Sequence, residues 1–165
     1  MPAGATYEPL ATTTLSSAAA SVTFSSISGS YTDLVLIAAH QNASQSGVRV
    51  QVGNGSVDTG SNYSITYLLG DGSSATSGRA SNDTSFDFAF VAANSESNLI
   101  INMMNYANTT TYKTFVTRNN GAAQGVTARV GLWRSTSAIN EIKLAPSTGN
   151  FNSGSTFTLY GIKAA

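Results

Sequence analysis

From Val22 to Ile162 the apolar residues recur at every second position, in short runs broken by turn residues. That period-2 pattern is the mark of half-buried β-strands, whose successive side chains point to opposite faces. Apolar residues at helical spacing are not sustained over ten residues anywhere in the chain. The last run, Gly154 to Ile162, is the clearest. Phe157, Leu159 and Gly161 fall on one face, and Thr156, Thr158, Tyr160 and Ile162 on the other. A terminal strand this apolar is expected inside a sheet, because an exposed edge of that kind invites aggregation.

Earlier runs repeat the pattern. Val22 and Phe24, then Val48, Val50 and Val52, then Ile65, Tyr67 and Leu69, then Phe86, Phe88 and Phe90 each alternate with other residues. Leu34 to Ala39 is apolar on both faces, which predicts a central strand covered on both sides. Leu99–Tyr106, Tyr112–Arg118, Val126–Trp133 and Ile139–Leu144 complete the set, with Asn119-Asn120-Gly121 read as a hairpin turn. A short helical turn is expected near Thr136 to Asn140. The polar stretch from Asp71 to Asp83 reads as a surface loop. About ten short strands punctuated by Gly, Asn, Asp and Ser predict an all-β, antiparallel β-sandwich of jelly-roll type. Leu34, Leu36, Val50, Phe88, Ile101, Leu132, Phe157 and Leu159 are its expected core.

The first 19 residues are mostly Ala, Thr, Ser and Pro, with anchors at Tyr7, Pro9, Leu10 and Leu15. They read as an extended N-terminal arm, either a loose terminus or a segment that lies along a neighbouring subunit, followed by one domain over residues 20–165. The start of the chain has neither a basic n-region nor an apolar h-region, so no signal peptide is expected.

Composition narrows the function classes. Charged residues are 10 % of the chain, against about 25 % in ordinary soluble domains. Eight basic and eight acidic side chains cancel, which leaves no electrostatic footprint for nucleic acid or an anionic membrane. Near-zero net charge favours association. Cysteine is absent, which removes disulfides and thiolate metal sites. His40 is the single histidine, so a two-histidine metal site does not exist, and its place at the end of an apolar strand reads as structural. No Gly-x-Ser-x-Gly elbow and no calcium-loop motif occur. The expectation is therefore no enzyme activity, no cofactor and no metal. Trp133 is expected in the core with its N–H on a carbonyl. Arg49, Arg79, Arg118, Arg129 and Arg134 are expected to pair with carboxylates.

Several stretches together resemble a group of small proteins and tail-fibre segments of tailed bacteriophages, cyanophages among them. They are Tyr7-Glu8-Pro9-Leu10-Ala11-Thr12-Thr13-Thr14-Leu15, Val22 to Ile27, Tyr31 to Leu36, Gly60 to Ser64, Asn105 to Thr114, Val130 to Thr136 and Gly154 to Ala165. The resemblance covers nearly the whole chain. It implies a structural component of the virion, assembled in the host cytoplasm and released by lysis, and it carries no catalytic residues over. The first expectation is a capsid cement or decoration protein. It would be a homotrimer on the major capsid protein, held through Tyr7, Pro9, Leu10 and Leu15. The alternative is a tail-fibre tip that binds a host-surface glycan through Tyr63, Tyr67, Asp71 and Asp83, and the third, a polysaccharide-degrading enzyme.

Overall fold

The computed structural model describes residues 6–163. Residues 1–5 of the expected arm, and Ala164 and Ala165, lie outside the described residues. The described residues form twelve strands and no helix, including at Thr136–Asn140. In chain order the strands are β1 (Tyr7–Thr14), β2 (Val22–Phe24), β3 (Asp33–His40), β4 (Ser46–Gly53), β5 (Tyr63–Gly70), β6 (Ala75–Asp83), β7 (Phe86–Val91), β8 (Ser97–Met104), β9 (Lys113–Gly121), β10 (Gly125–Trp133), β11 (Glu141–Pro146) and β12 (Thr156–Ile162). They make two antiparallel sheets. The larger runs β1-β12-β3-β8-β9-β10-β5-β6, and the smaller runs β2-β11-β4-β7. The protein is an antiparallel β-sandwich of jelly-roll type, as the alternation predicts.

The terminal strand is internal. β12 pairs with β1 on one side and β3 on the other, and Phe157 and Leu159 are buried. Seven of the eight expected core residues are buried; Leu132 is only half-buried. On β10 the inward positions are Thr127, Arg129, Gly131 and Trp133, so Leu132 falls on the outer face. Alternation makes position 131 inward, and it is a glycine because no side chain fits there. A Cβ would come within 2.7 Å of the Phe88 ring and 2.8 Å of Phe86. These rings, with Tyr63 and Phe115, form an aromatic cluster whose centroids lie 4.5–4.8 Å apart in the close pairs.

The structure corrects five other expectations. Tyr7–Thr14 is not an arm reaching for a neighbour. It is a strand of the domain itself, paired with β12 along its length, and Leu10 and Leu15 pack against the core. A Lys163–Glu8 ion pair of 2.7 Å closes the same seam. Three β-branched threonines and a proline, poor helix formers, suit such an edge strand. The stretch Asp71–Asp83 is not a loop. A tight turn at Asp71–Ser74 leads directly into β6. Phe86, Phe88 and Phe90 do not share a face, because a bulge against Val48/Arg49 shifts the register and leaves Phe90 exposed. The hairpin turn after β9 falls at Ala122–Gln124, past the Asn119-Asn120-Gly121 signal, with Gly125 at φ +131°. β3 lies centrally in its sheet, yet only Val35 is covered on the outer face, and Ile37 is exposed.

Candidate functional site

The two sheets differ in width, eight strands against four, so the larger one overhangs the smaller. At the β7 side the inner face of β5 and β6 continues past the small sheet. The result is an open groove of about 590 Å³ between that overhang and the β7 edge. Ile65, Tyr67, Leu69 and Ala80 form its apolar side, and Arg49, Asp83, Asp87 and Arg129 its polar side. Four of the chain's sixteen charged side chains thus line one groove.

Strand register explains why they meet. Arg129 on β10 lies directly opposite Tyr67 on β5, and Tyr67 directly opposite Gly78 on β6. All three face inward. Gly78 leaves room for the phenol, since a Cβ there would come within 2.5 Å of the Tyr67 hydroxyl. Tyr67 therefore lies low across β6, and the Arg129 guanidinium sits 5.2 Å from its ring centroid. Arg129 also donates to the backbone carbonyl of Asp87 and lies 3.7 Å from its carboxylate. Burial pulls the Arg129 pKa down against the opposing charge of Asp87. Partial desolvation pushes the half-exposed Asp87 up, opposed by Arg129 and Arg49.

Next to Arg129 the inner face of β9 and β10 is polar where a sandwich core is normally apolar. Thr117 pairs with Arg129 and Asn119 with Thr127 in the β9–β10 ladder. All four residues are buried. Thr117 Oγ1, Asn119 Oδ1, Thr127 Oγ1 and Arg129 Nε have no hydrogen-bond partner within the protein. Buried polar atoms are nearly always paired. Four unpaired ones form one buried block behind Tyr67 and Leu69 across the β10–β5 ladder, and Arg129 is the one of the four residues that lines the groove.

The expected glycan residues divide. Tyr67 and Asp83 both line this groove. Tyr63 does not reach it. Its ring is fully buried, and its hydroxyl donates to the carbonyl of Val52 or Asp58 and accepts from the Val52 N–H. Burial pushes the Tyr63 pKa far up. Asp71 sits at the opposite end of β6, roughly 25 Å of strand away from Asp83. Its carboxylate accepts from the backbone and hydroxyl groups of Ser73 and Ser74, which hold its pKa well below the usual range. It is a turn cap. Among the expected assembly anchors, Tyr7 is exposed at the rim, with its ring edge-on to Tyr160 at 6.3 Å, and Pro9 is exposed beside it.

His40 is a core residue, as its position predicts. Nδ1 is 3.1 Å from Asn42 Oδ1, and the ring packs between Phe151 and Phe157. Burial lowers its pKa. The Trp133 N–H donates to the Asp58 carboxylate at 2.8 Å rather than to a carbonyl. Arg134 binds Ser61, Ser64 and Asn82 instead of an acid, and among the described residues Arg129 is the arginine of the expected set that has a carboxylate within ion-pair distance. No cluster of three or more His, Asp or Glu able to hold a metal ion occurs among the described residues.

Sequence reasoning weighed Asp87 only as one of four acidic residues that could supply a glycosidase pair, and it did not place Arg49 or Arg129 in a groove. A signal for Arg129 was present: it is a charged residue at an inward position of an alternating strand, flanked by Thr127 and Gly131 where apolar residues belong.

Fold and groove together define a jelly-roll-type β-sandwich with a polar cleft beside its open edge. No protein-family model and no curated protein matches the chain. Solved structures that are similar at the level of the sandwich include the following three. An alginate lyase from Aplysia kurodai has TM-score 0.43 and 7% identity, over 84% of this chain and 72% of that one. A homodimeric agglutinin from chicken liver has TM-score 0.38 and 12% identity, over 83% and 98%. A toad ovary galectin in complex with thio-digalactose has TM-score 0.38 and 11% identity, over 84% and 98%. Likeness this distant carries no argument about ligand or activity.

Proposed function

We propose that this chain is a non-catalytic carbohydrate-binding domain of a tailed-phage virion, with the groove between β5–β6 and β7 as its binding site. The observation that carries the reading is an open groove in which the Tyr67 ring, stacked under Arg129, lies beside Arg49, Asp83 and Asp87. A saccharide suits such a place. Its hydroxyls donate and accept toward Arg49, Asp83 and Asp87, and its C–H faces pack on Leu69, Phe90 and the exposed side of Tyr67. The virion setting rests on the sequence resemblance.

The test is a glycan array probed with the full chain and with Arg49→Ala and Asp83→Ala. Saccharide binding by the native chain that both substitutions abolish supports the reading. A chain that binds no glycan, or whose binding ignores both changes, contradicts it.

The capsid-decoration reading draws on a separate observation. The outer face of the large sheet carries Ile37, Leu68, Val116, Val126 and Val130, all exposed, and a patch of that composition fits a protein surface such as a shell. Cryo-EM density on the capsid faces rather than the tail would favour it.

A further inference from the structure

The sandwich has four edges, and three of them are defended. β1 carries Pro9 and a bulge between Pro9 and Ala11. β2 is three residues long. β7 has a bulge against Val48/Arg49, and Arg129 occupies the Asp87 carbonyl. These are the devices by which sheets avoid edge-to-edge pairing. β6 lacks a proline, a bulge or a short span over most of its length, and its central stretch carries a single charge, Arg79. It is nine residues long, contains no proline, and pairs regularly with β5 from Ala75 to Ser81. The one irregularity comes after Ser81, where Asn82 takes φ +61°. Among the described residues no strand or loop backbone covers its free side.

We propose that β6 pairs antiparallel with β6 of a second copy across a two-fold axis at Gly78, joining two eight-stranded sheets into one. This does not depend on what the groove binds. Identical antiparallel edges that keep inner face beside inner face must place the axis on a residue, because side chains alternate with period 2. Gly78 is the midpoint of the regular stretch Ala75–Ser81. An axis there sets Arg79 opposite the partner's Ser77 and Ala80 opposite the partner's Thr76. An axis one residue on would set Arg79 against the partner's Arg79, a like-charge pair directly opposed, and would run the seam into Asn82. An isologous pair of edges closes at two copies and leaves no further edge of this kind. It gives a dimer where the resemblance implies a trimer. Because Ala80 and Asp83 line the groove, pairing would also set two grooves side by side on one face.

The experiment is sedimentation equilibrium on the full chain, comparing the native chain with Ser77→Arg, Ser77→Glu and the double variant Ser77→Arg/Arg79→Glu. Ser77 and Arg79 are exposed on the outer face, so circular dichroism and Tm should stay unchanged. Ser77→Arg faces the partner's Arg79 twice and should weaken the dimer about 2- to 30-fold, while Ser77→Glu should tighten it by a similar factor. The double variant should restore dimerisation. A chain that is monomeric at millimolar concentration even as Ser77→Glu, a trimer, or a dimer indifferent to all three changes overturns the inference.

Discussion

The inner face of the large sheet has two halves that follow one rule and differ in content. Under the small sheet, the inward positions of β12, β3 and β8 include Phe157, Leu159, Leu34, Leu36, Ala38, Leu99, Ile101 and Met103, all buried, with His40 and Ser97 at the strand ends. At its β7 edge and beyond, the inward positions of β10, β5 and β6 include the buried Thr127 and Arg129 and the more open Tyr67 and Gly78. Alternation decides which way a side chain points; the opposing sheet decides whether that direction is core. Where four strands cover eight, the uncovered inward positions become a groove. There the constraint changes from packing density to polar chemistry.

The two halves should respond differently to substitution. In the covered half, Phe157→Ala removes a fully buried ring packed against Phe151 at 4.9 Å and should cost about 3–5 kcal/mol. Chemical denaturation measures it, and a neutral result would place the terminal strand outside the core. Deleting residues 1–15 should come next. It strips β1 from β12, exposes a long unpaired edge and removes the packing of Leu10 and Leu15, for a loss of at least about 2 kcal/mol. A truncated chain with native Tm would show that β1 contributes nothing to the domain.

Gly131→Val probes the boundary between the halves. The new side chain meets Phe86 and Phe88, and overpacking of this kind costs about 1–3 kcal/mol. Acidification is a finer probe of the covered half. The His40 pKa is lowered by burial, so the unfolded chain binds the proton more readily than the folded one. Stability contributed by the neutral ring is therefore present above the unfolded value of about 6.5, and is lost as pH falls from there toward the folded value. Tm measured between pH 7.5 and 5 should decline, and His40→Gln should flatten the decline. The smallest stability effect belongs to the groove. Asp83→Ala should change stability by no more than about 0.5 kcal/mol while weakening the ligand, a separation that no core substitution can produce.

The covered half was largely legible in the sequence, because Leu34, Leu36, Phe157 and Leu159 announce both a strand and its buried face. The groove was not. β6 is Ala-Thr-Ser-Gly-Arg-Ala-Ser-Asn-Asp, and an edge strand with one face in solvent has no need of apolar residues, so composition alone makes it look like a loop. Misreading it separated Tyr67 from Gly78 and placed Asp71 with Asp83, which the strand holds at opposite ends. Arg129 and Asp87 meet only through the stacking of two sheets, an arrangement that no local pattern encodes. The same holds for β1, whose edge position depends on β12, more than 140 residues further along.

The central claim is that the groove, and not the outer face or a loop, receives the ligand. Backbone amide shifts of the full chain, titrated with the saccharide that binds best on the array, test it directly. The account predicts changes concentrated at Ile65, Tyr67, Leu69, Ala80, Asp83 and Arg129. Changes centred instead on Ile37, Val116 and Val130, or on the Asp71–Ser74 turn, would contradict it.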